Sequence, residues 1–360
     1  MRITVGTVVA TLALSTLGAA SVAQEPASKA AGAARGASLP RTPDGKPDLQ
    51  GNWTNATITP LERAGGALAL TEEEASLLER RAHLALEARE QPSDPNRPAP
   101  PVGGSLRSVS PGGSEPTYLD RLWQLGAGAV GGYNSFWIDP GDRAIRIAGP
   151  PRSSILVDPP DGRVPPLTPE ARARLAAAAE LRAKQGGEFD HPELRPLGER
   201  CIMSFGNNAG PPMLPNYFYN NNYTIVQTKD HVMILTEMVH DARIVRIGGQ
   251  HPPANIRQWM GDSIGRWEGD TLVIETTNFH RLQGFRGSWE NLKVTERLTR
   301  LDAQTISYKF TVEDPTTFTS PFSGELPFRA MSEPVYEYSC HEGNYGLEGV
   351  MRGARSQERR

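Results

Sequence analysis

Tyr223-Thr224-Ile225-Val226-Gln227-Thr228-Lys229-Asp230-His231-Val232-Met233-Ile234-Leu235-Thr236-Glu237 is two runs of strand formers around a short polar break. β-Branched and aromatic residues suit a pleated chain, and Lys229-Asp230 interrupts them, so the stretch reads as a β-hairpin. Arg266-Trp267-Glu268-Gly269-Asp270-Thr271-Leu272 is a second hairpin, with Gly269 supplying the positive φ of the turn. Residues 292–301 and 305–313 form a third, turning at Asp302-Ala303-Gln304. Residues 243–247 continue or follow the first hairpin, and 335–340 read as the last strand. Successive strands with tight turns predict a mainly β fold, an antiparallel up-and-down barrel or curved sheet over 196–348.

Upstream, the pattern differs. Met1-Arg2, an apolar run and Ser21-Val22-Ala23 have the layout of a secretory signal peptide over 1–23, which implies a periplasmic or secreted protein with no transmembrane segment after its removal. Residues 24–45 are rich in Ala, Gly, Ser and Pro and read as a flexible leader. An N-terminal extension over 46–195 then carries two main helices and a small β-meander. Thr71-Glu72-Glu73-Glu74 is a capping box that starts a helix running to residue 90. A Pro/Gly/Ser-rich loop over 91–116 and a short helix over 117–125 follow. Strands at 133–137, 144–147 and 154–157 make the meander. Thr168-Pro169-Glu170 starts the second main helix, which ends at Gly186-Gly187. Its alanine-rich stretch, 171–183, is expected to pack on a sheet. The basic end, 349–360, reads as a disordered tail.

The formal charge of −3 becomes −4 once Arg2 leaves with the signal. No Lys/Arg-dense stretch suggests a nucleic-acid surface. Cys201 and Cys340 are the two cysteines, and in an exported chain they most simply form one disulfide. The competing arrangement is a Cys/His metal site that includes His341. No spacing typical of a zinc site accompanies it, so neither a metal nor a cofactor is expected.

Four blocks carry a resemblance: Pro47-Asp48-Leu49-Gln50-Gly51-Asn52-Trp53, Gly265-Arg266-Trp267-Glu268-Gly269-Asp270-Thr271-Leu272-Val273, the pair Glu296-Arg297, and Tyr336-Glu337-Tyr338-Ser339-Cys340-His341-Glu342-Gly343-Asn344. They resemble a family of uncharacterised exported bacterial proteins across most of the mature chain. The resemblance implies secretion and a lipocalin-like barrel. It implies no chemistry.

Ionisable residues crowd the predicted strands, where charge is normally kept to the wet face. Alternation along 234–244 puts Thr236, Met238, His240 and Ala242 on one face and Glu237, Val239, Asp241 and Arg243 on the other. If the second face points inward, Glu237, Asp241 and Arg243 form a buried charged row suited to proton transfer or carboxylate recognition. If it points outward, they are solvated cross-strand pairs. His240 is the best single general acid or base, since histidine titrates near neutrality. Asp241 points away from it, so an orienting acid must come from Asp262, Glu296 or Glu342. Glu296 and Arg297 point to opposite faces, so one of them lies inside.

The catalytic candidates are therefore His240, Asp241, Arg243, His341 and Glu342. The substrate-binding candidates are Glu237, Asp262, Arg266, Glu296, Arg297, Trp137 and Tyr338. These residues suggest a protein that binds a small organic molecule in a polar-lined barrel pocket, as a cofactor-independent lyase, isomerase or hydrolase. The alternatives are a non-catalytic binder of a hydrophobic ligand and an envelope-associated interaction protein.

Overall fold

Among the described residues, strong strand formers at period two produce ten strands: β1 (Gly51–Thr54), β2 (Leu156–Asp158), β3 (Asn222–Gln227), β4 (His231–Thr236), β5 (Ala242–Ile247), β6 (Asp262–Glu268), β7 (Thr271–Thr277), β8 (Lys293–Arg300), β9 (Thr305–Glu313) and β10 (Phe322–Met331). The computed structural model describes residues 39–90, 139–204, 209–216 and 219–359, without the side chains of 88–90 and His240. The expected signal peptide, residues 24–38 of the leader, the 91–116 loop, the 117–125 helix and the strand bearing Trp137 lie outside the described residues.

Strand order is β1-β3-β4-β5-β6-β7-β8-β9-β10-β2, and β1 also pairs with β10. Nine strands thus close into a barrel, and β2 is an extra strand along β10. The closing strand comes from the N-terminal side: Trp53 lies opposite Tyr223 on β3 and Ala330 on β10. Closure leaves no row of unpaired backbone groups at β3 and β10 for another chain to extend.

The predicted hairpins are present. β3 and β4 pair from Tyr223↔Thr236 to Gln227↔Val232. β6 and β7 turn at Gly269, whose φ is +59°. β8 and β9 pair over their full length. One expectation fails: β5 and β6 are parallel, with Val245↔Ser263, Arg246↔Ile264 and Ile247↔Gly265. Parallel neighbours need a crossover, and residues 248–261 provide one long enough to return the chain to the end at which β5 starts.

The last strand is β10 rather than 335–340, which is not a strand. Pro327 hides β10 from a reading by propensity. Its position is nevertheless permitted. Glu325 N–H points away from β9 and donates to Ile155 O at 3.0 Å. Position 327 has the same orientation, in the gap between the residues that pair with β2 and those that pair with β1, so no ladder bond is lost.

Among the described residues three α-helices lie outside the barrel: α1 (Glu72–Glu90), α2 (Pro169–Lys184) and α3 (Tyr345–Glu358). The capping box forms as expected, with Thr71 N–H on Glu74 Oε2 at 2.8 Å and Glu74 N–H on Thr71 Oγ1 at 3.1 Å. Thr168 caps α2 through Ala171 N–H. Contrary to expectation, α2 does not pack broadly on a sheet: Ala171 is its one buried residue, because alanines alone form no stripe of large apolar side chains. The C-terminal end is not a disordered tail but α3, capped by Asn344 and tied to the 189–190 backbone by Arg355. In the meander region, 144–147 is not a strand, and 156–158 joins the main sheet as β2.

The interior is filled. Trp53, Tyr223, Val232, Ile234, Val245, Leu272, Ile274, Val294, Leu298, Ile306, Tyr308, Phe310 and Phe328 are each at most 1% exposed, and Met213 and Leu214 enter from a loop. Tyr223 stacks on Phe328 and Tyr308 tilts against it, with ring centroids 5.0 and 5.1 Å apart. Such close packing concentrates functional groups where the wall is interrupted, at the β5–β6 seam.

Candidate functional site

Arg243 and Arg246 are three residues apart on one strand, so alternation sends them to opposite faces of the barrel wall. Each has an acidic partner there. Inside, Arg243 grips Glu296 of β8 with both nitrogens of its fork, and Nη2 donates to Oε1 at 2.9 Å. The pair is 3% and 0% exposed. Tyr308 OH donates to Glu296 Oε1 at 2.8 Å and accepts from Met213 N–H at 2.8 Å. The hydroxyls of Ser263 and Thr276 lie within 3.5 Å of Arg243 Nη1. Burial by itself would lower the Arg243 pKa, but Glu296 outweighs it and keeps the guanidinium charged. Burial, reinforced by the Glu296 charge, pushes the Tyr308 phenol well above its usual range.

Outside, Arg246 holds Asp262 of β6 with two bonds of 2.9 Å, and His251 Nδ1 lies 2.6 Å from Asp262 Oδ2. His251 Nε2 is 3.5 Å from Glu275 of β7. Burial opposes ionisation of Asp262, yet Arg246 and His251 prevail and hold its carboxyl below the usual range. His251 thereby fastens the 248–261 crossover to the barrel wall.

Between the two clusters the seam opens into a cleft of about 630 Å³. Both strands start here, and pairing between them begins only at Val245 and Ser263. Asp241, Arg243, Ile244 and Arg246 line one side, and Arg257, Trp259, Asp262 and His280 line the other. The cleft therefore reaches from the surface to the buried Arg243. Arg257 donates to the carbonyls of Phe279 and Glu290 and lies over the Trp289 ring, 5.0 Å from its centroid. Among the described residues no carboxylate pairs with it. Trp259 packs against His280 with centroids 4.1 Å apart. Burial, with a smaller contribution from Arg281, lowers the His280 pKa and so favours the neutral ring. Leu282 N–H donates to His280 Nδ1 at 3.3 Å, which leaves the proton on Nε2 as a donor.

The structure divides the sequence candidates. Asp241, Arg243 and Asp262 line the cleft, and Glu296 lies beneath it. The expected continuous row along 237–243 does not exist, because Met238–His240 is a turn of 3-10 helix and breaks the alternation. Arg243 faces inward, and Glu237 is buried separately, accepting from Asn222 Nδ2 at 2.8 Å. The side chain of His240 lies outside the described residues, but its backbone leads directly into Asp241. Two of the acids expected to orient it, Asp262 and Glu296, are engaged by arginines. Arg297 does take the outer face, where it shares Glu268 with Arg266.

His341 and Glu342 are exposed beside the Cys201–Cys340 disulfide and do not line the cleft. The disulfide consumes both thiols, which removes the Cys/His metal alternative. Tyr338 stacks on Tyr219 and lines a different hollow, between 198–199 and α3. Sequence reasoning missed Arg246, His251, Arg257, Trp259, His280 and Tyr308. Alternation along 243–247 could have placed Arg246 on the face opposite Arg243. Nothing local marks the others, because irregular crossover and loop segments place most of them. Comparisons with protein-family models, curated proteins and solved structures found no match.

Proposed function

We propose that this protein binds a small organic anion in the β5–β6 cleft. The observation that supports this reading is Arg257, a cation held by carbonyls and an aromatic face, which lines one cleft with Trp259 and the donor His280. An anionic oxygen entering there meets charge-assisted donors, and an attached planar or apolar group meets the Trp259 face. Arg243 at the floor is already neutralised by Glu296 and acts as a fixed dipolar donor set.

Benzoate should quench tryptophan fluorescence saturably, W259F should reduce the signal, and R257A should weaken binding at least about tenfold, the loss of one charge-assisted contact. Benzamide, which has the same shape without the charge, should bind far more weakly. Equal affinity for the amide and the acid would refute anion recognition.

Acid/base catalysis on the bound anion is the second reading, favoured by Asp241 in the cleft wall and the His240 backbone immediately before it. A neutral His280 whose Nδ1 is occupied donates rather than accepts, so proton abstraction falls to Asp241 or His240. His240→Ala and Asp241→Asn separate the two: one of them should abolish turnover without unfolding the protein, and full activity in both variants would sink the assignment. Export to an oxidising compartment fits the disulfide. Among the described residues no helix is long and apolar enough to cross a membrane.

A further inference from the structure

The outer face of the barrel beside the cleft is apolar where an outer face is normally polar. Val226 on β3 lies opposite Met233 on β4, and Met233 lies opposite Ile244 on β5. Val226 is 42% and Ile244 47% exposed. The three side chains form one row across three strands, spanning about 10 Å at the usual inter-strand spacing. The row does not stop at the strand edge. Ile244 also lines the cleft, where Met260 and Trp259 continue the apolar surface up to Arg257 and His280. A charged end and an apolar track thus form one continuous surface joined at Ile244.

We propose that the ligand is an amphiphilic monoanion of the fatty-acid type, with its carboxylate at Arg257 and its hydrocarbon chain laid across Ile244, Met233 and Val226. This inference rests on the anion reading of the cleft and adds the chain to it. Two features argue for a chain rather than a second copy of the protein. The track is no more than two side chains wide, with Leu235 and Ala242 beside Met233 and Ile244, whereas a stable dimer buries about 800 Å² on each partner. It also runs directly out of a site that carries the complementary charge. Burial of the chain supplies the affinity and the arginine fixes its direction.

The test is calorimetric titration of the intact protein with acetate, hexanoate, octanoate and decanoate. Affinity should rise about two- to fourfold per methylene along the series, according to how fully each is buried. I244D, an outward-facing change that spares the core, should flatten the series. V226D, at the far end of the track, should weaken decanoate and leave hexanoate unchanged. R257A should weaken every member by a similar factor.

A flat series with R257-dependent binding of the short acids would overturn the amphiphile and leave the anion cleft standing. Chain-length dependence lost in I244D but unaffected by R257A would overturn the head-group assignment, and the anion reading with it. Chain-length dependence untouched by I244D and V226D would show non-specific partition and overturn the track. Dimerisation in sedimentation experiments that I244D abolishes would assign the face to a second copy and overturn the proposal.

Discussion

Glu296 shows how one buried side chain can constrain both the fold and the site. Its carboxylate takes the Arg243 fork and the Tyr308 hydroxyl in a space closed to water. Removing one partner strands the other charge. Glu296→Leu should destabilise the barrel by about 3–5 kcal/mol, read as a lower urea midpoint, whereas Glu296→Leu with Arg243→Met should recover most of that loss. A double variant as unstable as the single would mean that the pair itself, rather than uncompensated charge, dominates. Glu237 behaves in the opposite sense. Burial, helped by the charge of Asp139, raises its pKa against the bond from Asn222. A group raised on folding contributes stability that is complete below its unfolded pKa of about 4.3 and is lost as pH rises through the folded value. Glu237→Gln should therefore stabilise the protein at pH 7, with the gain shrinking towards pH 4 in parallel thermal melts.

At the scale of elements, the decisive feature is the parallel seam and the crossover that makes it necessary. Gly261 ends the crossover at φ +71°, and a Cβ there would lie 2.6 Å from Thr277 O and 2.7 Å from Thr276 Cγ2. Gly261→Ala should cost about 1–3 kcal/mol and displace the segment that carries Arg257 and Trp259, so ligand affinity should fall together with stability. Denaturant unfolding and benzoate titration of the same variant check both. The outer latch has its own pH signature. Asp262, with its pKa depressed on folding, contributes stability present above its unfolded value of about 3.9 and lost as pH falls through the folded one. D262N should flatten the acid limb of the stability profile. An unchanged acid limb would show that the latch carries little of it.

For the whole molecule, the N-terminal side and the C-terminal end both depend on the barrel. β1 closes it, and Cys201–Cys340 ties the segment before β3 to the segment after β10 across a separation of 139 residues. A loop of that length gives roughly 4–5 kcal/mol by chain entropy. C201S/C340S should lower stability by up to that amount and expose α3 to limited proteolysis, because the covalent tie is gone and the hydrogen bonds of Asn344 and Arg355 remain. The cleft is remote from the disulfide in its lining residues, so benzoate affinity should survive the double variant.

Local sequence determined the strands, the turns at Lys229-Asp230 and Gly269, the capped starts of α1 and α2, and the rule that Glu296 and Arg297 divide between two faces. These depend on propensity, period and capping, which act within a few residues. Even the inward orientation of Arg243 could be stated as one of two alternatives from alternation alone. The tertiary structure decided the rest. Pairing between distant strands chose the face, made β5 and β6 parallel, and brought β1 round to close the wall. It gave Arg243 to Glu296 across 53 residues and gathered Arg257, Trp259 and His280 from irregular segments into one cleft. Chain closure and close packing create those contacts, and no short window of sequence contains both partners.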